Sequence, residues 1–220
     1  MAARSDGALL VGGSFDAIGG VAGLIYDRMT HNLPDNADYV FDQPLTAIWG
    51  FTDDADERGW LVGENGVIGD YSRVFNWGFS KNKTGVMTPM NGIWSPSQNP
   101  RTGVAWVVGG QGTIFHHSPT DAWRSDTFTD NDLTSIYGTS ADDIWTVGAN
   151  GTIGHHDTNI AKPWTRLPAG TSVKLYGVWG SAKNDVWAVG EKGTILHYQP
   201  ERVRQAPTEP PRLVCDQKNL

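Results

Sequence analysis

Scarcity shapes the first reading of this sequence. Its 220 residues hold one cysteine, Cys215 in a Pro-rich tail, which excludes an internal disulfide framework and a cysteine-based zinc site. Cations are also few: 17 Lys and Arg against 24 Asp and Glu leave a net charge of -7, and the basic residues are scattered. Counterion release on a polyphosphate needs clustered cations, so nucleic acid is excluded as a partner. No window reaches the roughly 18 consecutive apolar residues of a membrane-spanning helix. Met1 to Leu10 shows neither the basic nor the apolar region of a secretory leader. Either the chain is intracellular or its true start lies elsewhere.

Catalytic signatures are missing as well. There is no G-x-S-x-G elbow, P-loop or H-E-x-x-H. A sialidase-like site needs several arginines converging on one carboxylate, whereas Arg58, Arg73, Arg101, Arg124 and Arg166 are dispersed. The expectation is a protein without catalytic residues, cofactor or metal.

What the sequence does contain is glycine, 27 residues or about 12% against a usual ~7%, and ten tryptophans. Both fall on a repeat. Units begin at Leu45, Met90, Leu133 and Leu175, and an aromatic recurs at Trp49, Trp94, Tyr137 and Trp179, at steps of 45, 43 and 42. A second set is Trp60, Trp106, Trp145 and Trp187, and a third is Trp77, Trp123 and Trp164. All ten tryptophans occupy repeat positions.

Each unit reads as four strands. In the third, these are Leu133 to Gly138, Ile144 to Val147, Thr152 to His156 and Trp164 to Leu167, by the two-residue period. The spacing Val-Gly-x-x-Gly between strands two and three, as in Gly148 to Gly151, predicts a tight hairpin. Small residues at Ala47, Gly92, Ser135 and Gly177 mark where inner strands crowd an axis. A sheet with apolar residues on both faces is buried by stacking copies radially, the β-propeller solution for repeats of about 40 to 45 residues.

The expected fold is therefore an all-β propeller of five four-stranded blades over residues 1–199, followed by a Pro-rich tail, 200–220. The N-terminal unit reads as incomplete, with Ala8 to Gly12 as strand two, Gly23 to Asp27 as strand three, Asp38 to Asp42 as strand four and no first strand. The last unit lacks a fourth strand, and Arg212 to Cys215 could close the ring from the tail. A fragment of a six- to eight-bladed propeller is the rival reading.

The string VWGSAKNDVWAVGEKGTILHY, Val178 to Tyr198, resembles the repeat of bacterial extracellular β-propellers of the BNR/Asp-box-like and WD40/YVTN-like superfamily. GGSFDAIGGVAG, Gly12 to Gly23, is similar to a related repeat of secreted bacterial proteins. The five-unit arrangement also resembles the tachylectin-type lectins. A strict Asp-box is absent; Ser140 to Asp143 echoes it in part. The resemblance implies a secreted or cell-surface, non-catalytic recognition module binding a glycan at blade junctions. An extracellular protein partner on a propeller scaffold stays open, as does a BNR-like glycoside hydrolase with a composite site.

Candidate ligand contacts are the aromatics Trp49, Trp94, Tyr137 and Trp179, which either wedge between inner strands or stack on sugars. The varying position one residue after each unit start adds Asn91, Thr134 and Tyr176, beside Thr46. The insertions Phe79 to Pro89 and Ser95 to Thr102 carry a weaker hint. His116, His155 and His197 sit on different blades, too far apart to share a metal, and read as polar side chains bonding loop backbone. Asp143 and Asp185 read as turn residues before strand two, and Thr52 to Glu57 is the densest acidic stretch. Trp145 and Trp187 read alike as core.

Overall fold

The computed structural model describes residues 2–3, 9–11, 26–27, 43–52, 57–72, 78–96, 103–118, 121–157, 164–199 and 202–205. They form one three-stranded and four four-stranded sheets, each antiparallel and each built from consecutive strands. The first sheet is β1 (Ala2–Ala3), β2 (Leu9–Val11) and β3 (Tyr26–Asp27), and the second β4 (Leu45–Thr52), β5 (Glu57–Gly63), β6 (Val67–Ser72) and β7 (Gly78–Lys83). The third is β8 (Met90–Trp94), β9 (Ala105–Gly109), β10 (Ile114–Ser118) and β11 (Asp121–Asp126), and the fourth β12 (Leu133–Ser140), β13 (Asp143–Gly148), β14 (Ile153–Asp157) and β15 (Trp164–Leu167). The last is β16 (Leu175–Ala182), β17 (Asp185–Gly190), β18 (Ile195–Gln199) and β19 (Arg202–Gln205).

Two expectations are corrected. The first sheet has its first strand, β1, paired with β2, and the last sheet has its fourth, β19, paired with β18. β19 pairs antiparallel with β18, so the sheet continues past the expected boundary at 199. Phe79 to Lys83 belongs to the regular strand β7 rather than to an insertion. Asp38 to Asp42, Asp53 to Asp56, Trp77, Ser97 to Thr102 and Arg212 to Cys215 lie outside the described residues.

Sheets stack face to face, with β4 against β8, β8 against β12 and β12 against β16. One face presents Trp, Val and Ile from strands two and three; the next sheet answers with Leu, Met, Ile, Val and Ala. Trp60, Val62 and Ile68 thus meet Met90, Ile93, Ala105 and Val107. Trp106, Val108 and Ile114 meet Leu133, Ile136 and Ile144, and Trp145, Val147 and Ile153 meet Leu175, Val178, Val186 and Leu196.

A bulge at the second residue of the inner strand of each four-stranded sheet makes this possible. The register shifts at Leu45/Ala47, Met90/Gly92, Leu133/Ser135 and Leu175/Gly177. An uninterrupted period of two would put Leu133 on the face of Ser135 and Tyr137. The extra residue turns Leu133 to the side of Ile136, and both are buried.

The Gly-x-x-Gly connections are single 3-10 turns in which the third residue is left-handed, at φ 52, 55, 54 and 56 for Asn65, Gln111, Asn150 and Lys192. The glycine that follows is left-handed too. At Gly66, Gly112 and Gly151 a Cβ would stand 1.9, 1.7 and 2.0 Å from a carbonyl oxygen of the segment leading into the next sheet. These glycines are junction residues as much as turn residues. Closure into a ring is not seen among the described residues: the outward face of β16–β19 keeps Trp179, Val189 and Ile195 exposed.

Candidate functional site

Where the inner strands begin, the sheets leave a groove of about 500 Å³ crossing three of them. Its floor carries Asn91, Thr134 and Tyr176, one residue into β8, β12 and β16, and its rim carries Gln111, Asp132 and Lys174. Strand register brings the three floor positions together, because each follows the unit-start residue at the bulge.

Two of them also fasten the sheets. Asn91 Nδ2 donates to Leu133 O at 2.7 Å, and Thr134 Oγ1 reaches Leu175 O at 2.6 Å and Val147 O at 3.0 Å. Thr46 Oγ1 bonds Met90 O in the same way. The hydroxyl or amide at this position therefore crosses to the first carbonyl of the next inner strand. Tyr176 has no next strand to reach among the described residues; its hydroxyl donates to Glu191 Oε1 at 3.3 Å and its ring is 54% exposed. Lys174 Nζ stands 5.7 Å from that ring. On the rim, Asp132 Oδ1 accepts the Gln111 backbone N–H at 2.8 Å, holding the left-handed turn. The groove thus offers an ammonium, a carboxylate, two amides and an aromatic edge, in a wall that is mostly polar.

The four recurring aromatics form a different feature. Trp49, Trp94, Tyr137 and Trp179 contact one another in succession, with ring centroids 6.4, 6.4 and 6.1 Å apart. Trp94 is 4% exposed, and its ring occupies the space a Cβ at Gly138 would need, 2.5 Å away. Trp49 and Tyr137 are half-buried, and Trp179 alone of the four is open, at 56%. These rings wedge between inner strands, and only Trp179 presents a face on which a flat ligand could stack.

A third arrangement escaped the sequence reading. In β12–β15, Asp143 accepts from Trp145 Nε1 at 3.2 Å and pairs with His155 Nε2 at 2.7 Å through Oδ1, while Thr139 bonds Oδ2. His155 stacks on Trp145 with centroids 4.0 Å apart. In β16–β19 the same set recurs: Asp185 takes Trp187 at 2.9 Å, His197 at 2.8 Å and Ser181, and His197 stacks on Trp187 at 3.8 Å. The loop-backbone partner expected of His155 and His197 is replaced by a carboxylate, whereas His117, outside that set, lies 3.1 Å from Gly103 O. Asp143 and Asp185 accordingly serve as clasps under an indole, not as turn residues. The shared spacing, hydroxyl, then Asp four residues on, Trp two further, His ten further, was the available signal. The β8–β11 unit keeps the Trp106–His116 stack with Val104 at the aspartate position.

The electrostatics follow from these bonds. Burial pushes the Asp143 carboxyl up, but His155, Thr139 and Trp145 outweigh it and hold it below the ordinary carboxylate range. Asp185 is lowered by Ser181, His197 and Trp187. Burial lowers His116 and His156, and no partner is found for the enclosed Nδ1 of His156. Hydroxyl, histidine and aspartate occur together here, yet the hydroxyl bonds the aspartate. Nucleophilic catalysis requires it on the imidazole. Among the described residues no three His, Cys, Asp or Glu side chains converge on a metal position, and no helix is long and apolar enough to cross a membrane. Trp145 is 2% exposed and Trp187 36%, so the second indole is not the core residue its sequence position suggested.

No family model and no curated protein sequence matches the chain. Solved structures do. A YCF48 bound to a D1 peptide superimposes with a TM-score of 0.58 at 16% identity, over 92% of this chain and 62% of that one. YCF48 from Cyanidioschyzon merolae gives 0.58 at 10% identity, over 84% of this chain and 69% of that one. The chain therefore spans less than two thirds of the first of these neighbours. Taken with the radial stacking of consecutive antiparallel sheets, the likeness establishes that this chain has a β-propeller-type fold.

Proposed function

We propose that the chain is a non-catalytic recognition module that holds an extended segment of a protein partner in the groove at the starts of β8, β12 and β16. The observation that carries this reading is the groove itself, about 500 Å³ across three sheets with charges of both signs on its rim. That volume suits a few residues of extended chain. An extended chain needs donors and acceptors for its backbone, and Lys174, Gln111 and Asp132 supply both kinds. The solved YCF48 with its D1 peptide is a propeller neighbour that takes a peptide, which supports the same use here.

The test is selection of random peptides on the intact chain, followed by binding measurements on Lys174→Glu and Tyr176→Ala. Both side chains are exposed, so the fold should survive either change. Selected peptides should lose about tenfold or more in affinity, some 1.4 kcal/mol, while Arg166→Ala, exposed on β15, changes nothing. Peptides that bind all variants equally would remove the groove from the account. Binding to immobilised sugars with no peptide enriched would return it to glycan recognition.

A further inference from the structure

The residue that precedes each unit start has one backbone duty and three kinds of side chain. The carbonyls of Pro44, Pro89, Asp132 and Lys174 accept the N–H of Glu64, Gly110, Ala149 and Glu191 in turn, at 2.8 to 2.9 Å. Proline fills the position on the first two four-stranded sheets, so this bond asks nothing of the side chain. On the last two sheets the same position carries a carboxylate and an ammonium, both exposed and both on the groove rim. Neither forms an ion pair among the described residues: Asp132 Oδ1 holds the Gln111 N–H, and Lys174 Nζ stands 5.7 Å from the Tyr176 ring. The Glu191 carboxylate is engaged by the Tyr176 hydroxyl instead. An asparagine would accept the Gln111 N–H as an aspartate does, so the charge on Asp132 is surplus to that bond.

We propose that the groove selects its partner segment by a charge pair, a basic residue set against Asp132 and an acidic one set against Lys174, roughly two to four residues apart. This choice of partner rests on the peptide-binding reading of the groove and adds which peptides it takes. The two charges come from equivalent positions on neighbouring sheets, and facing sheets lie about 10 Å apart. An extended chain rises about 3.3 Å per residue and turns every second side chain to the same face. Side chains at i and i+2, about 7 Å apart, and at i and i+4, about 13 Å apart, bracket that distance. Because the two rim charges are opposite and fixed, they also set direction. A segment laid the other way would bring its acid to Asp132 and its base to Lys174, and like charges brought together reject that orientation.

The experiment is selection of random peptides on the intact chain, scored for charge order. Enriched peptides should carry a basic and an acidic residue at roughly that spacing and in one constant order. Asp132→Asn, which keeps the acceptor for Gln111, should weaken them about two- to fivefold, and Lys174→Gln by a similar factor, as exposed charge pairs do. Both side chains are exposed, so the fold should survive. Exchanging the peptide's basic residue for Gln should abolish the effect of Asp132→Asn and preserve that of Lys174→Gln; exchanging its acidic residue should do the converse. Equal losses for the parent and exchanged peptides would mark a general effect of substitution and overturn the charge pair. Enriched peptides that Tyr176→Ala weakens but that lack the pair would overturn it too, leaving the peptide groove in place. Absence of any enriched peptide would overturn both.

Discussion

Two copies of one clasp, one covered and one open, allow a local cost to be separated from a junction cost. Trp145 and Trp187 make the same bonds to Asp143 and Asp185 and the same stacks on His155 and His197. They differ in what lies beyond the ring: Trp145 also meets Tyr198, with centroids 4.5 Å apart, and is 2% exposed, while Trp187 is 36% exposed. Replacing Trp145 by Ala removes a fully buried indole from between two sheets and should cost about 3–5 kcal/mol. Replacing Trp187 forfeits about two thirds of that transfer and leaves no enclosed cavity, so about 1–3 kcal/mol is expected. Both substitutions are compared by urea unfolding followed by circular dichroism. A difference of about 2 kcal/mol between them is the expected outcome. Equal losses would mean that the face of β16–β19 is sealed within a single chain, and the reasoning from exposure would fail.

The same contrast applies to the junction glycines. Gly151→Ala forces a Cβ 2.0 Å from Thr171 O at φ +61, whereas Gly193→Ala meets only the left-handed strain, about 1–2 kcal/mol; thermal melting should rank Gly151→Ala as the more damaging, and the reverse order would show that the junctions differ from those described. Thr134→Val keeps the shape but strands the carbonyls of Val147 and Leu175, and a loss of about 1–3 kcal/mol by urea titration is expected. His116 and His156 have folded pKa values held below the ordinary 6.5, so the unfolded chain binds their protons first. Stability from these groups is complete above about pH 6.5 and declines as pH falls through and below that value. His156→Phe should flatten the fall in melting temperature between about pH 7 and 5, and an unchanged slope would exonerate that histidine.

The architecture was legible because its determinants are periodic. Tryptophan spacing gave the units, Gly-x-x-Gly gave the turns between strands two and three, and small residues gave the axis. At Gly92 a Cβ would lie 3.3 Å from Ile136 N, which is the close approach the pattern implied. What periodicity could not give was the bulge. Thr46, Asn91, Thr134 and Tyr176 have no common residue type; the first three bond across to the next strand while Tyr176 bulges without such a bond among the described residues, so the extra residue has no local signature. The strands β1 and β19 were missed for a related reason. Two alanines, and a segment with charge on alternate residues, carry too little apolar signal to register as strands until a neighbour pairs with them.

The candidate site was half legible for the opposite reason. Asn91, Thr134 and Tyr176 were singled out by variation within a regular frame, and the frame brings them to one groove. Their chemistry does not follow from that placement. Asn91 and Thr134 spend their side chains on carbonyls of the next sheet, because every inner strand but the last has such a carbonyl within reach. Among the described residues Tyr176 meets no such carbonyl. Tyr176, exposed and flanked by Lys174 and Glu191, is the copy with an aromatic in place of a short polar side chain. Repetition assigns the first three positions to the scaffold, and Tyr176 is the copy whose hydroxyl bonds within its own sheet, to Glu191.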